Sequence, residues 1–97
     1  MTGAEVDGLA RAAHEKNGLG KCFLHRTGYS IGINWADLEL MQLHPSNKTE
    51  VVPGMTFHLV PHLVDDDLGL LAISQPIVVT EEGCERLLNF PLIVDTL

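Results

Sequence analysis

The spacing of apolar residues changes once along the chain, and this change limits the possible folds more than any other feature. Thr2 and Glu5 have the spacing of a helix N-terminal capping box. The apolar residues that follow recur at the spacing of one helix face, at Val6, Leu9, Ala10 and Ala13. Asn17-Gly18 supplies residues that commonly end a helix. The N-terminal segment therefore predicts one amphipathic helix.

After this segment, helical spacing gives way to short runs of apolar, aromatic and β-branched residues. Such runs predict strands, and they lie at Lys21–His25, Tyr29–Ile33, Met55–Val60, Leu68–Ser74, Ile77–Thr80 and Cys84–Leu88. Clusters of turn-forming residues separate many of the runs, and they lie at His44–Lys48, Pro53–Gly54, Asp65–Asp67 and Glu81–Gly83. We therefore expect an α+β fold in which the helix precedes an antiparallel meander.

Three segments give less direct predictions. Trp35–Leu43 is compatible with a helical turn or with a loop. Pro76 cannot donate a backbone hydrogen bond to a sheet, so we expect a bulge or a sheet edge at this residue. Leu92–Val94 is apolar enough to pack on the sheet or against another part of the protein.

Composition excludes several classes of function. The 97 residues include 13 acidic and 6 basic side chains, which give a net charge of −7. The basic residues are scattered, whereas nucleic-acid binding needs a basic stripe. No apolar stretch approaches the roughly 18 residues of a membrane span, and the N-terminal segment lacks the pattern of a signal peptide. We expect one cytoplasmic domain with buried, reduced thiols at Cys22 and Cys84, and with no nucleic-acid or membrane partner.

No residue pattern by itself establishes a catalytic or metal site. His58 and His62 have the spacing of helical metal ligands, but in an extended segment they would lie about 13 Å apart, too far to share an ion. Asp65–Asp67 lacks the alternating oxygen ligands of a calcium loop. Ser30 and Ser74 stand outside any nucleophile motif. The residues alone indicate an acidic α+β domain.

Three segments carry a family resemblance. His25–Gly32 resembles the H-R-T-G-H-S/G-I/F-G strand of pita-bread enzymes, which include creatinase, prolidase and methionine and proline aminopeptidases. Val52–Pro61 is similar to the P-G-M-T-F-H-L-I-P segment of ectoine hydrolase-like members, and Ile73–Gly83 to their I-S-E-P-I-L-V-T-E-T-G segment. The three motifs occur in the family order and cover roughly residues 3–91.

The resemblance implies a site without the family's metal. Tyr29 stands where metal-dependent members have a ligating His, Val60 where they have a carboxylate, and Ser74 or Gln75 where they have a Glu. A neutral phenol is a weak ligand because its pKa is about 10. Glu39 stands where ectoine-type proteins have a His, and about four residues before Trp35 are absent. We therefore expect no metal and no other cofactor.

The same resemblance implies what the chain does and what it needs. Residues 1–97 are expected to form a single partial domain, the C-terminal half of a pita-bread domain. Tyr29 and His25 are the candidate catalytic residues, and Tyr29 and His58 the candidate substrate-binding residues. The implied activity is hydrolysis of a C–N amide bond, with no independent activity and with a missing N-terminal half or a homodimer partner. The alternative is a non-catalytic remnant that binds a protein.

Overall fold

The chain contains one long helix followed by antiparallel strands, as expected from the sequence. The computed structural model describes residues 1–32, 41–67, 69–89 and 91; the predictions for Glu39, for Leu92–Val94 and for most of Trp35–Leu43 lie outside them. The end of the last segment is described, and Gln42–Leu43 forms a strand, which is neither the helical turn nor the loop expected. No helix among the described residues is both long and apolar enough to cross a bilayer. The elements are helix α1 at Gly3–Lys16, a short 3₁₀ helix at Gly20–Cys22, and strands β1 at Gly28–Ser30, β2 at Gln42–Leu43, β3 at Thr56–Leu59, β4 at His62–Asp65, β5 at Gly69–Ala72, β6 at Gln75–Thr80 and β7 at Gly83–Arg86.

Helix α1 has the ends that the sequence predicts. The hydroxyl of Thr2 accepts a hydrogen bond of 3.2 Å from the Glu5 backbone N–H, which satisfies one of the unpaired donors of the first turn. The helix ends at Asn17, and Gly18 follows with a φ of +76°, a left-handed conformation that favours glycine. These contacts confirm the N-cap at Thr2, which is one half of the capping box, and the stop at Asn17-Gly18.

The predicted apolar face of α1 is less buried than its spacing suggests. Leu9 is 62% exposed, and Ala13 is also exposed. The fully buried side of the helix instead carries Gly3 and Asp7. A charged residue therefore occupies the position that packs most closely against the rest of the fold.

Five strands form one antiparallel sheet, in the order β2-β1-β3-β6-β7. Strands β4 and β5 pair only with each other and form a separate hairpin. The predicted simple meander was therefore wrong in two respects: β1 lies between β2 and β3, and this hairpin leaves the sheet between β3 and β6. The turn at Asp65–Asp67 joins the hairpin strands, and the Asp67 N–H donates to the Asp65 carboxylate at 2.8 Å. Strand β4 had not been anticipated from the sequence.

The predicted strand at Lys21–His25 was also wrong. The chain there forms the 3₁₀ helix, and the Phe23 N–H donates to the Gly20 carbonyl at 3.3 Å. Phe23 is 3% exposed, and its ring stacks on His14 of α1 with centroids 4.5 Å apart. Packing of Phe23 on the helix thus outweighs the local preference for an extended chain.

Pro76 lies inside β6 and not at a sheet edge, which corrects the expectation for this residue. Its carbonyl accepts a hydrogen bond of 3.0 Å from the Leu87 N–H. The nitrogen and carbonyl of one strand residue point to the same side, so the missing Pro76 N–H faces Leu87, just beyond the end of β7. The proline is tolerated because the ladder between β6 and β7 ends there.

The hydrophobic core is small and lies where β2, β3 and β6 approach α1. Its centre is Phe57, which is 1% exposed and pairs with Ile77 across β3 and β6. Burial of one such aromatic side chain contributes about 2–3 kcal/mol. The residues of the main core cluster are Met41, Leu43, Phe57 and Ile77, with Val6, Val51, Met55, Leu59 and Val79 packed around them.

A buried carboxylate links α1 to the start of the sheet. Asp7 is 0% exposed, and one of its oxygens accepts hydrogen bonds from both the backbone N–H and the hydroxyl of Thr27, at 3.0 and 2.8 Å. Its other oxygen accepts from the Arg11 Nε–H. Such a carboxylate needs all of these donors, because a buried charge left without partners is strongly destabilising.

We expect Asp7→Asn to lower the free energy of unfolding by about 2–3 kcal/mol, because the amide cannot keep the charge pair with Arg11. The matched control is Glu15→Gln, an exposed acid on the same helix, with an expected change within about 0.5 kcal/mol. Urea unfolding followed by circular dichroism measures both. Equal stability of the two variants would contradict the role of Asp7.

Candidate functional site

The loop that enters β1 is held by Arg11 of α1. The guanidinium donates to the backbone carbonyls of Phe23 and His25 at 3.2 and 3.0 Å. The Thr27 N–H shares its donation between Asp7 and the Leu43 carbonyl of β2, the latter at 3.0 Å. The backbone on both sides of Arg26 is therefore fixed by the helix and the sheet.

Gly28 brings β1 unusually close to β3. It pairs with Leu59, and a Cβ added at this residue would lie 2.4 Å from the His58 carbonyl oxygen. Real Cβ atoms are essentially never found that close to another atom, so a larger residue would force the strands apart. This close pairing places Tyr29 directly opposite His58.

Tyr29 and His58 form a hydrogen-bonded pair. The Tyr29 hydroxyl lies 2.7 Å from Nδ1 of His58, and the rings meet edge to face with centroids 5.1 Å apart. The pair has two forms: the hydroxyl donates to an unprotonated Nδ1, or an Nδ1–H donates to the phenol oxygen. In the second form the hydroxyl proton of Tyr29 is free to donate to another group.

The pKa of His58 lies below the usual value for histidine. Burial is the main cause, because it disfavours the charged ring, and the neighbouring charge of His62 lowers the pKa further. His58 is therefore neutral at pH 7. A neutral ring can act as either donor or acceptor at Nδ1, so both forms of the pair with Tyr29 are available.

Next to this pair is a pocket of about 200 Å³, lined by His25, Arg26, Tyr29, Val60 and His62. The Arg26 guanidinium carbon lies over the Tyr29 ring, 5.0 Å from its centroid. The rings of His25 and His62 meet edge to face at 5.5 Å. The pocket thus gathers one guanidinium, two imidazoles and a phenol from two segments of the chain, residues 25–29 and 60–62.

The structure brings together the three residues that the sequence marked as candidates. Tyr29 and His25 line the pocket, and His58 is bonded to Tyr29. Arg26 and His62 belong to the same site but were not identified in advance. Arg26 lies inside the first family motif, which could have drawn attention to it. No sequence pattern predicts that the chain turns after β3 and brings His62 to face His25.

The residues at the family's metal positions do not fit a metal. Tyr29 contributes a phenol, and Val60 contributes a hydrocarbon side chain to the pocket wall. Gln75 is 7% exposed, and its amide donates to the Leu88 carbonyl at 2.9 Å, while Ser74 is exposed. Across the described part of the chain, no group of three or more His, Cys, Asp or Glu side chains is placed to hold an ion.

Comparison with known proteins identifies the family. Residues 1–81 match the model of metallopeptidase family M24. The chain is 47% identical over 70 residues to the ectoine hydrolase of Halomonas elongata, covering 68% of this chain and 17% of that protein. It is 32% identical over 91 residues to a probable dipeptidase, PepE, of Mycobacterium tuberculosis, covering 94% of this chain and 24% of the relative.

Solved structures agree with this match. The dipeptidase PepE of Mycobacterium ulcerans superposes with a TM-score of 0.84 at 33% identity, over 94% of this chain and 24% of that one. The prolidase of Pyrococcus furiosus superposes with a TM-score of 0.84 at 27% identity, over 94% and 26%. The chain thus spans about a quarter or less of these relatives and has the fold of part of a pita-bread domain. From its sequence and its fold, the chain belongs to metallopeptidase family M24.

Proposed function

We propose that this chain is the C-terminal part of the catalytic domain of an ectoine hydrolase-like enzyme, which hydrolyses a C–N amide bond without a metal ion. The observation that carries the proposal is the hydrogen bond of 2.7 Å between Tyr29 and His58. It places a polarised phenol in a pocket where metal-dependent members of the family are expected to carry a ligating His.

Tyr29 serves in this proposal as a hydrogen-bond donor to the substrate. When the Nδ1–H of His58 donates to the phenol oxygen, the hydroxyl proton points to a second acceptor. The carbonyl oxygen of an amide gains negative charge as its C–N bond is attacked, and a fixed donor stabilises that charge. His25, which also lines the pocket, contacts the substrate beside Tyr29.

The remaining catalytic groups come from outside the described residues. Hydrolysis of an amide needs a base that activates water, and no carboxylate lines the pocket among the described residues. The proposal therefore assigns the base to the remainder of a pita-bread domain, and it expects no hydrolysis by residues 1–97 alone. It also places the protein in the cytoplasm, in keeping with the free thiols of Cys22 and Cys84, although Cys22 is half-buried and Cys84 exposed and not buried as expected.

The test is a chimera in which this chain replaces the matching segment of the Halomonas elongata ectoine hydrolase. We expect it to hydrolyse ectoine in buffer that contains EDTA, and we expect Tyr29→Phe to lower kcat by about 100- to 1,000-fold through loss of one donor. His44→Asn, an exposed turn residue outside the pocket, is the control. A folded chimera that is inactive, or active only with added divalent metal, would overturn the proposal.

The protonation state of the site can be tested without a substrate. Because His62 contributes to the low pKa of His58, we expect His62→Asn to raise that pKa toward, but not up to, the usual value. Burial, the larger cause, remains in this variant. The measurement is an NMR pH titration of the histidine ring protons, with His44→Asn as the unaffected control. An unchanged His58 pKa in His62→Asn would contradict an electrostatic contribution of His62 to that pKa.

The alternative function is a non-catalytic module that binds a protein, and a second surface favours it. A mainly apolar groove of about 410 Å³ lies between α1 and the sheet. Leu9 stands on its wall and is 62% exposed. The full lining is Met1, Val6, Leu9, Leu43, Val51, Phe57, Leu59, Ile77, Val79, Gly83 and Cys84. Exposed apolar surface of this kind marks interaction sites.

In the proposed enzyme, the remainder of the pita-bread domain covers this groove, and it is the occupant that we assign; a non-catalytic module would offer the groove to a separate protein instead. The relatives are about four times longer than this chain, so in each of them most of the polypeptide lies outside the matched part. A separate homodimer partner is the competing occupant. The two are distinguished by whether the chain associates with itself or with the complementary part of a relative.

We expect Leu9→Ser to weaken association with the separately expressed remainder of the Halomonas elongata enzyme by about tenfold, since about 1–2 kcal/mol of apolar burial is lost. Leu24→Ser is the matched control, because Leu24 is 63% exposed but lies outside the groove. Calorimetry measures the binding, and sedimentation measures self-association. Dimers that Leu9→Ser dissociates would identify a second copy as the occupant instead.

A further inference from the structure

Two polar atoms at the pocket have no hydrogen-bond partner among the described residues. They are Nε of Arg26 and Nδ1 of His62, and both are buried. Native proteins satisfy nearly all such atoms, because burial removes the hydrogen bonds to water without replacing them. Arg26 and His62 both line the pocket, so the two exceptions belong to a single site.

The wall of the pocket has the charge of an anion site. Arg26 is always protonated, and its guanidinium is held above Tyr29. The other polar residues of the wall are His25, His62 and Tyr29. No acidic side chain is part of the wall as described, although the chain carries a net charge of −7. The positive charge of Arg26 is therefore not neutralised within the pocket.

We propose that this pocket binds a carboxylate group, with Arg26 Nε and His62 Nδ1 each donating a hydrogen bond to one of its oxygens. The site is a subsite of its own, beside the Tyr29 hydroxyl that contacts the amide. The assignment of this carboxylate to the amide substrate rests on the proposed function. The binding of a free carboxylate by the chain is independent of the proposed function.

The number of donors and the size of the pocket favour a carboxylate over phosphate. Two donors on different side chains match the two oxygens of a planar monoanion, and Arg26 supplies the single charge that a monoanion requires. Arg26 is the one Lys or Arg side chain among the described residues of the wall, so a dianion would meet a single guanidinium. The volume of about 200 Å³ accepts a carboxylate with a few attached atoms.

Binding requires a small movement of the side chains. Both nitrogens are enclosed, so each must turn toward the pocket to meet an oxygen. The proposal requires this of the His62 ring by rotation about its Cβ–Cγ bond. The movement provides a specific observable, because the ring protons of His62 and the Nε–H of Arg26 change environment together.

The experiment is an NMR titration of the isotope-labelled chain with acetate at pH 7 and constant ionic strength. We expect saturable shifts of the Arg26 Nε–H and the His62 ring, with a dissociation constant on the order of millimolar, as befits a four-atom ligand. Acetamide, which has the same shape without the charge, is expected to cause no shift. Tighter binding of inorganic phosphate than of acetate would overturn the assignment to a carboxylate.

Acetate binding by substituted chains tests whether Arg26 and His62 form the carboxylate site. His62→Asn and Arg26→Gln are each expected to weaken acetate binding at least about tenfold, whereas His44→Asn, outside the pocket, leaves it unchanged. Circular dichroism identifies any variant that fails to fold, and Arg26→Lys, which keeps the charge without the Nε–H, then replaces Arg26→Gln. Equal acetate binding by folded His62→Asn and by the parent chain would refute the site. Acetate binding together with an inactive chimera would refute the proposed hydrolysis alone.

Discussion

The buried carboxylate of Asp7 is the contact on which the rest of the structure depends. It receives hydrogen bonds from Thr27 and Arg11, and through them it joins the helix to the first strand of the sheet. Among the described residues the main core cluster contains four buried hydrophobic side chains, and a chain of this size has little margin of stability. The hydrogen bonds of Asp7 therefore contribute strongly to the fixed orientation of the helix relative to the sheet.

The same contact determines the geometry of the site. Arg11 holds the carbonyls on both sides of Leu24, Thr27 is fixed between Asp7 and Leu43, and β1 begins at the next residue. Gly28 then permits the close approach of β1 to β3. The pairing of Tyr29 with His58 follows from that register. Each step fixes the next, so a change at the helix is transmitted to the pocket through backbone positions.

Sequence patterns predicted those structural elements that depend on interactions between residues close in sequence. The capping residue Thr2, the turn at Pro53–Gly54 and the strand that contains Phe57 all follow from nearby residues. The burial of Asp7 could not be predicted, because its partner Thr27 is distant in sequence and the apolar spacing of the helix pointed to Leu9. Phe23 likewise folds its segment into a 3₁₀ turn through contacts with the helix.

The residues of the site were also predictable only where a local sequence motif contains them. Tyr29, His25 and His58 stand in motifs that resemble a known family, so sequence alone marked them. His62 enters the pocket because the chain leaves the sheet after β3 and forms the β4–β5 hairpin. Nothing near His62 in the sequence specifies that departure. Its ring contact with His25 at 5.5 Å is a product of the tertiary fold.

The apolar groove and the polar pocket lie on opposite sides of strand β3. Phe57 and Leu59 line the apolar groove, while His58 bonds to Tyr29 and Val60 lines the polar pocket. Successive strand residues point to opposite faces, so whatever fills the groove leaves the pocket open. A cover on the apolar face adds hydrophobic burial to a small core and stiffens the strand from which His58 projects. The proposed binding at the groove therefore does not compete with the proposed chemistry in the pocket for the same surface.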